Sequence, residues 1–462
     1  MLRLGLYQMG LGIMSVLTLG VLNRVMIKEL AIPATIAAGA IAMHQFVAPA
    51  RLWFGQMSDA RPIGAYHRTG YIWIGSLLFA IASFVAVQVM WQIGDSMLGG
   101  VQAGGWTGQT TAWTGVLALV FMFYGIALSA GSTPFAALLV DISDEENRPK
   151  LVGVVWSMLM VGIVVGALIS ARLLPQPVGG DCQALGSTDL TLLRAAVNRL
   201  FLIVPGLVFG LAILATAGVE KKYSRFAQRS ELVEREDQIT LKRALRVLTA
   251  SPQTGLFFTF LLFMTISLFM QDAIMESYGG QVFGMCVADT TKLNAFWGTG
   301  TLLGISLTGF AIAPRIGKKQ TAKLGCFMVA FCLILVILTG FTANPKLLQY
   351  GLLLFGFASG VTTTGAISLM LDLTAAETAG TFIGAWGLAQ ALARAIATVL
   401  GGAVLDLGRW IFPNITLAYA LVFATQAVGM LTAVWLLSRV NINEFRNNTK
   451  AAITAVMGGE LD

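Results

Sequence analysis

The chain has 462 residues, 56% hydrophobic and only 11% charged, with a formal net charge of +7 and a mean hydropathy of +0.77. This composition excludes a water-soluble globular protein and predicts an all-α integral membrane protein whose first partner is lipid. The positive charge is explained below by its placement, so it carries no indication of nucleic-acid binding.

Twelve apolar stretches approach the ~20 residues that a helix needs to cross a ~30 Å hydrocarbon layer. They are predicted at 3–24, 34–54, 70–91, 112–140, 151–174, 196–217, 252–272, 288–313, 322–342, 347–371, 380–404 and 415–438. The first is too long for a signal peptide and ends in Asn23-Arg24 rather than in small residues, so it is expected to stay in the mature protein. Taking alternate loops in turn, one side collects 21 Lys and Arg and the other 8, with Arg394 left inside a span. The positive-inside rule then predicts that both termini are cytoplasmic.

Between the second and third spans lies GQMSDARPIGAYHR, with Gly55, Asp59, Arg61, Gly64 and Arg68. It resembles a G-x-x-x-D-R/K loop stretched by an insertion. Such a loop needs Gly for a tight turn, a carboxylate to cap a helix of the opposite half, and basic residues to hold the cytoplasmic face shut. Asp59, Arg61 and Arg68 are therefore expected to brace one half against the other. Asp141 and Arg148 would form a related set one loop on, with Asp372 its counterpart. Trp91, Trp106 and Trp113 bracket the next loop and suit a headgroup layer. Cys182 and Cys286 both fall on the outer side, and sequence leaves open whether they pair.

The longest interior polar stretch, 218–251, divides the chain into halves. The expected units are 1–217, a connector at 218–251, 252–438, and a cytoplasmic tail at 439–462. Within the connector, Leu232 to Leu248 has near-helical apolar spacing and reads either as a membrane-surface helix or as a solvated one. The halves are related. FMFYGIALSAGSTPFAALLVDIS (121–143) aligns without gaps on LLLFGFASGVTTTGAISLMLDLT (352–374), matching Gly125 to Gly356 and Asp141 to Asp372. A repeat of six spans in parallel order predicts twelve transmembrane helices in two six-helix bundles, the major facilitator plan.

The first, fourth, seventh and tenth spans are expected to line the central path. Between their end residues they hold no Asp, Glu, Lys or Arg. Their polar residues are Gln8, Tyr124, Ser129, Ser132, Thr133 and Thr362 to Thr364. Carriers of ions usually place ionisable groups there, so an uncharged path favours an apolar cargo or a scaffold. At the outer ends, Arg24 and Lys28 follow the first span, and Asp272 and Glu276 follow the seventh. The basic pair is expected to meet the acidic pair as an outer gate, with Glu29 competing for the same cations. Arg394, in the middle of the eleventh span, must face the interior or a wet cavity. No Walker loop, dinucleotide fingerprint, zinc spacing or nucleophile elbow is present, so the chain is not read as an enzyme.

Three segments give a closer match. LNRVMIKELAIPA (22–34), SDARPIGAYHRTGYIWIG (58–75) and MQDAIMESYGGQVFGMCVADTTKLNAFWGTGTLLG (270–304) resemble the PucC/LhaA family of photosynthetic membranes. LVDISDEENRPKLVG and LDLTAAETAGTFIGAWGLAQA are also similar. The resemblance implies a major facilitator fold in a thylakoid or intracytoplasmic membrane. It implies a role in assembling chlorophyll- or bacteriochlorophyll-protein complexes, with pigment and antenna or photosystem polypeptides as partners. No tightly bound cofactor is read from the residues. For pigment contact, His44 can ligate magnesium as a neutral imidazole, or it is simply a packed, hydrogen-bonded histidine. Gln8 and Asn23 are weaker candidate ligands, and Arg394 is either a cargo contact or an inter-helix staple. The alternative function is a secondary transporter of a small neutral or amphipathic solute.

Overall fold

The computed structural model describes residues 2–64, 66–99, 106–143, 148–174, 187–224, 252–373 and 379–441. They form α1 (Leu2–Ser15), α2 (Ala34–Phe46), α3 (Ala50–Ala60), α4 (Thr69–Gly99), α5 (Gly108–Asp141), α6 (Arg148–Leu173), α7 (Ser187–Thr216) and α8 (Val219–Tyr223). From residue 252 on come α9 (Pro252–Phe269), α10 (Met275–Val282), α11 (Val287–Leu307), α12 (Ala313–Ile316), α13 (Lys318–Gly340), α14 (Pro345–Leu373), α15 (Ala379–Ile411) and α16 (Ile415–Arg439). Among the described residues, 11 helices are long and apolar enough to cross a membrane. Their outer faces carry large apolar side chains, such as Phe310 at 90% and Trp410 at 82% exposure, where lipid takes the place of water.

The second predicted span departs from one continuous helix. It breaks between α2 and α3 at Pro49, whose ring removes an amide donor and clashes with the preceding turn. The first span runs on past its predicted end. Beyond α1 it widens into π-helical turns over Val16–Leu22 and Val25–Glu29, so Arg24 no longer marks its end, and Lys28 and Glu29 belong to the span as well. The seventh also continues. A 3₁₀ turn over Met270–Ala273 links α9 to α10, which places Asp272 and Glu276 within the helical run. Those two carboxylates had marked its end in the sequence.

Glycines set the closest helix approaches. A Cβ at Gly125 of α5 would strike the His44 backbone of α2, and one at Gly356 of α14 would strike the Trp297 backbone of α11. The two glycines matched in the repeat thus do the same job: each lets one helix of its half lie backbone to backbone against another. Between halves, α2 packs along α15 and α6 along α11. Gly402 lies against the Ala34 backbone, where any side chain would collide.

Candidate functional site

Two polar clusters and one cavity stand out. The first cluster lies at the face that carries the start of α1. Arg68 precedes α4, and its guanidinium spans three partners: Asp141 at 3.0 Å, Ser58 at 2.6 Å and Asp59 at 2.5 Å. Arg68 and Asp141 are both buried. Glu220 of α8 caps the start of α4, accepting from the amides of His67, Arg68 and Thr69 and from the Thr69 hydroxyl. A carboxylate suits this place because the first amides of a helix lack partners within it. Tyr71 bonds the Arg61 carbonyl at 2.8 Å, while the Arg61 side chain faces outward.

These contacts stay inside the first half. The expected brace from Asp59 to the opposite half is not formed between described residues; Asp59 holds Arg68 instead. Gly55 is not the turn glycine, since it lies within α3. The turn is made by Gly64, whose φ of 65° lies in the left-handed region. Arg148 and Asp372 lie in α6 and α14, but their side chains fall outside the described set. Trp91 is not in a headgroup layer. It is buried, its indole donates to Asn198, and Arg194 lies over its ring.

The second cluster lies at the opposite face, where hydrogen bonds join the two halves. Arg24 is 1% exposed and donates to Thr290 at 2.7 Å, to the Met285 carbonyl at 2.9 Å and to the Glu276 carbonyl at 3.1 Å. Gly280 leaves the room that its guanidinium fills. Its carboxylate neighbour is Glu29, at 3.5 Å, and Glu29 also lies 3.9 Å from Lys28. Glu29 thus lies nearest the cations, the Glu276 carboxylate also interacts electrostatically with Arg24, and Asp272 interacts with Arg394 instead.

Next to it, Asp406 of α15 caps α2 across the halves. It accepts from the amides of Ala34 and Thr35 at 3.1 and 2.8 Å, and from the Thr35 hydroxyl at 2.7 Å. Pro33 stands at the cap position of α2 and has no side-chain donor or acceptor to offer. Arg409 flanks Asp406 and reaches Gln281, which also accepts from Tyr419. Sequence offered no signal for this contact beyond one lone Asp. Asp406→Ala is expected to weaken the seam by about 0.5–2 kcal/mol, the range for loss of a cap. Since ~1.4 kcal/mol is tenfold in a population ratio, thiol labelling of a cysteine placed in the cavity lining should rise from this face by about twofold to thirtyfold. Unchanged labelling would show that the cap does not hold the seam.

Between the clusters lies a cavity of about 210 Å³ lined from both halves, by Gly20 and Ile163 of the first and Asp272, Glu276, Asn294 and Arg394 of the second, among others. The central path is thus charged, contrary to the sequence expectation. The continuation of the seventh span, which carries Asp272 and Glu276, and the inward placement of Arg394 from the eleventh explain the difference. Arg394 opens onto this cavity, its guanidinium 3.7 Å from the centre of the Phe269 ring. The other pigment candidates do not gather there. His44 bonds its own helix at the Ile41 carbonyl, 2.5 Å away, and meets Tyr124 edge-on at 5.8 Å. Asn23 donates to the Ala273 carbonyl. Gln8 is half-buried on α1, apart from the cavity lining. Cys286 is disulfide-bonded, and Cys182 lies outside the described residues.

The family model described as "PUCC protein" matches residues 21–445. Protein PucC of Rhodobacter capsulatus is 29% identical over 450 residues, which cover 94% of this chain and 90% of that protein. The "Bacteriochlorophyll synthase 44.5 kDa chain" of Rhodobacter capsulatus is 27% identical over 99% of this chain and 98% of its own length. Among solved structures, a point mutant of the nucleoside transporter NupG superposes with a TM-score of 0.66 at 12% identity, covering 95% of this chain and 100% of that one. That likeness is one of fold: an all-α, many-span membrane fold of the transporter kind. The chain belongs to the PUCC protein family.

Proposed function

From that membership we propose that the protein is an assembly factor of a photosynthetic membrane, which binds or delivers chlorophyll-type pigment or shepherds nascent pigment-binding polypeptides. The observation that carries this reading is the end-to-end match to PucC relatives. We read the fold as twelve spans in two six-helix bundles, with 34–60 as the broken second span, 218–251 as connector and both termini cytoplasmic. The seam at Arg24 and Asp406 is then the outer gate. The Arg68 cluster, with Asp59 and Asp141, is a clamp within the first bundle at the cytoplasmic gate. The chain is read as non-enzymatic. The geometry favours shepherding over enclosure: the cavity of about 210 Å³ falls below the roughly 300–1,000 Å³ of pockets that enclose drug-sized ligands, and a tetrapyrrole with its tail is larger still.

Deleting the gene in its host is expected to lower pigment–protein complexes while free pigment continues to be made, and the purified protein should bring down antenna or photosystem polypeptides. Loss of pigment synthesis itself would overturn this reading in favour of an enzymatic role. A second reading, secondary transport of a small solute, gains from one observation, the charged lining of the cavity. A colourless preparation without photosynthetic partners but with saturable solute uptake would favour it instead.

A further inference from the structure

The seventh span is discontinuous at the cavity. α9 ends at Phe269, one 3₁₀ turn follows, and α10 starts at Met275. A break in a spanning helix frees backbone groups that something must satisfy, and here Asn23 of the first half donates to the freed Ala273 carbonyl. Broken helices between the halves of transporters are where polar ligands are held, because half-helix ends bring charge into an apolar setting.

At this break the protein leaves polar atoms unanswered. Glu276 is 6% exposed; its Oε1 accepts from Asn294 and its carboxylate interacts electrostatically with Arg24, while Oε2 has no hydrogen-bond partner. Gln271 is 3% exposed; its amide donates to Asp272 at 3.0 Å, while its Oε1 has no partner. These acceptors cluster on the α9–α10 side. The opposite character comes from other helices. Trp297 Nε1 of α11 has no acceptor. The guanidinium of Arg394, on α15, interacts electrostatically with Asp272 without closing on it as a direct ion pair. All five side chains line the same cavity. An unsatisfied buried polar group costs roughly 1–3 kcal/mol, and a charged one more, so a site that leaves several is built for a ligand that completes them.

We propose that this cavity binds a small zwitterion of amino-acid size, its ammonium group on Glu276, Asp272 and Gln271, and its carboxylate on Arg394 and the Trp297 indole N–H. A simple cation satisfies the carboxylates but meets Arg394. A simple anion satisfies Arg394 but meets two carboxylates. A neutral solute answers neither. The volume of about 210 Å³ suits a zwitterion of amino-acid size. Gly20 is part of the site's shape, because a Cβ there would strike the Glu276 carboxylate. The proposal does not rest on the assembly role and needs no pigment.

The test is calorimetric titration of the full-length protein in lipid nanodiscs with glycine, L-alanine and L-leucine, against ethylamine and acetate as the two half-ligands. At least one amino acid should bind, and both half-ligands should bind at least about tenfold more weakly. Glu276→Gln, which keeps size and shape, and Arg394→Gln, which removes the guanidinium but stays polar, should each weaken binding by about tenfold or more, and Trp297→Phe by less. Three results would overturn the proposal: no amino acid binding at millimolar concentration, a half-ligand matching the amino acids, or a folded Arg394→Gln protein with native affinity. Should a variant fail to fold, the half-ligand comparison on the native protein still decides. Failure here leaves the assembly role standing, since that is read from complex levels in cells.

Discussion

Arg68→Ala is expected to destabilise the protein by about 3–5 kcal/mol, the range for removing one partner of a buried ion pair. The cost comes mainly from Asp141, whose side chain is 7% exposed and would lose its 3.0 Å guanidinium contact. Asp59 contributes less, because its side chain is 43% exposed and water can replace the guanidinium. Asp59→Asn should therefore cost no more than about 1 kcal/mol. Arg68→Lys should fall between the two, since one ammonium cannot reach Asp59, Asp141 and Ser58 together. Unfolding of the purified protein in detergent checks the order. An Asp59→Asn protein as unstable as Arg68→Ala would show that the exposed carboxylate, not the buried one, is what Arg68 serves.

The long apolar runs made most of the helices legible, because lipid imposes a minimum length that composition alone reveals. What misled was charge near the ends of runs. Asp272 and Glu276 mark the end of the seventh span if every carboxylate is assumed to avoid the membrane. They face an internal cavity instead, and the helical run resumes after a 3₁₀ turn and reaches Val282. The same holds for Arg24, which is buried among acceptors of the other half. Sequence separates lipid from non-lipid surroundings but not an internal wet face from an external one. The repeat was legible at Gly125 and Gly356 because only glycine admits such close backbones. The caps supplied by Glu220 and Asp406 were not, because a carboxylate that caps a helix 372 residues away leaves no local signature.

Among the described residues, the bonds at the two faces run differently. At the face with the Arg68 cluster, the described hydrogen bonds and ion pairs tie each half to itself: Asp59, Asp141 and Glu220 in the first, Lys319 and Gln253 with the chain after α16 in the second. At the other face, Asn23, Arg24, Ala34 and Thr35 are bonded to the second half. A protein arranged this way can part its halves at the first face without breaking these bonds. Parting them at the second requires that Arg24 and Asp406 let go.

Arg24 should therefore be the most sensitive position on that seam. Arg24→Leu is expected to cost about 3–5 kcal/mol, because Glu29, with its side chain 5% exposed, loses its guanidinium neighbour within the protein. Thr290 and the Met285 and Glu276 carbonyls lose a donor at the same time. Part of that loss falls on the closed arrangement alone, so Ser15→Cys in the cavity lining should become reactive to a thiol reagent added at the Arg24 face. Charge reversal identifies the partner. Arg24→Glu should impair the protein, and adding Glu29→Arg should restore part of its stability, since those two side chains are 3.5 Å apart. Adding Asp272→Arg should restore none, because Asp272 faces Arg394 across the cavity rather than Arg24. Rescue by Asp272→Arg with none by Glu29→Arg would reverse the pairing and move the acidic partner of the seam onto the seventh span.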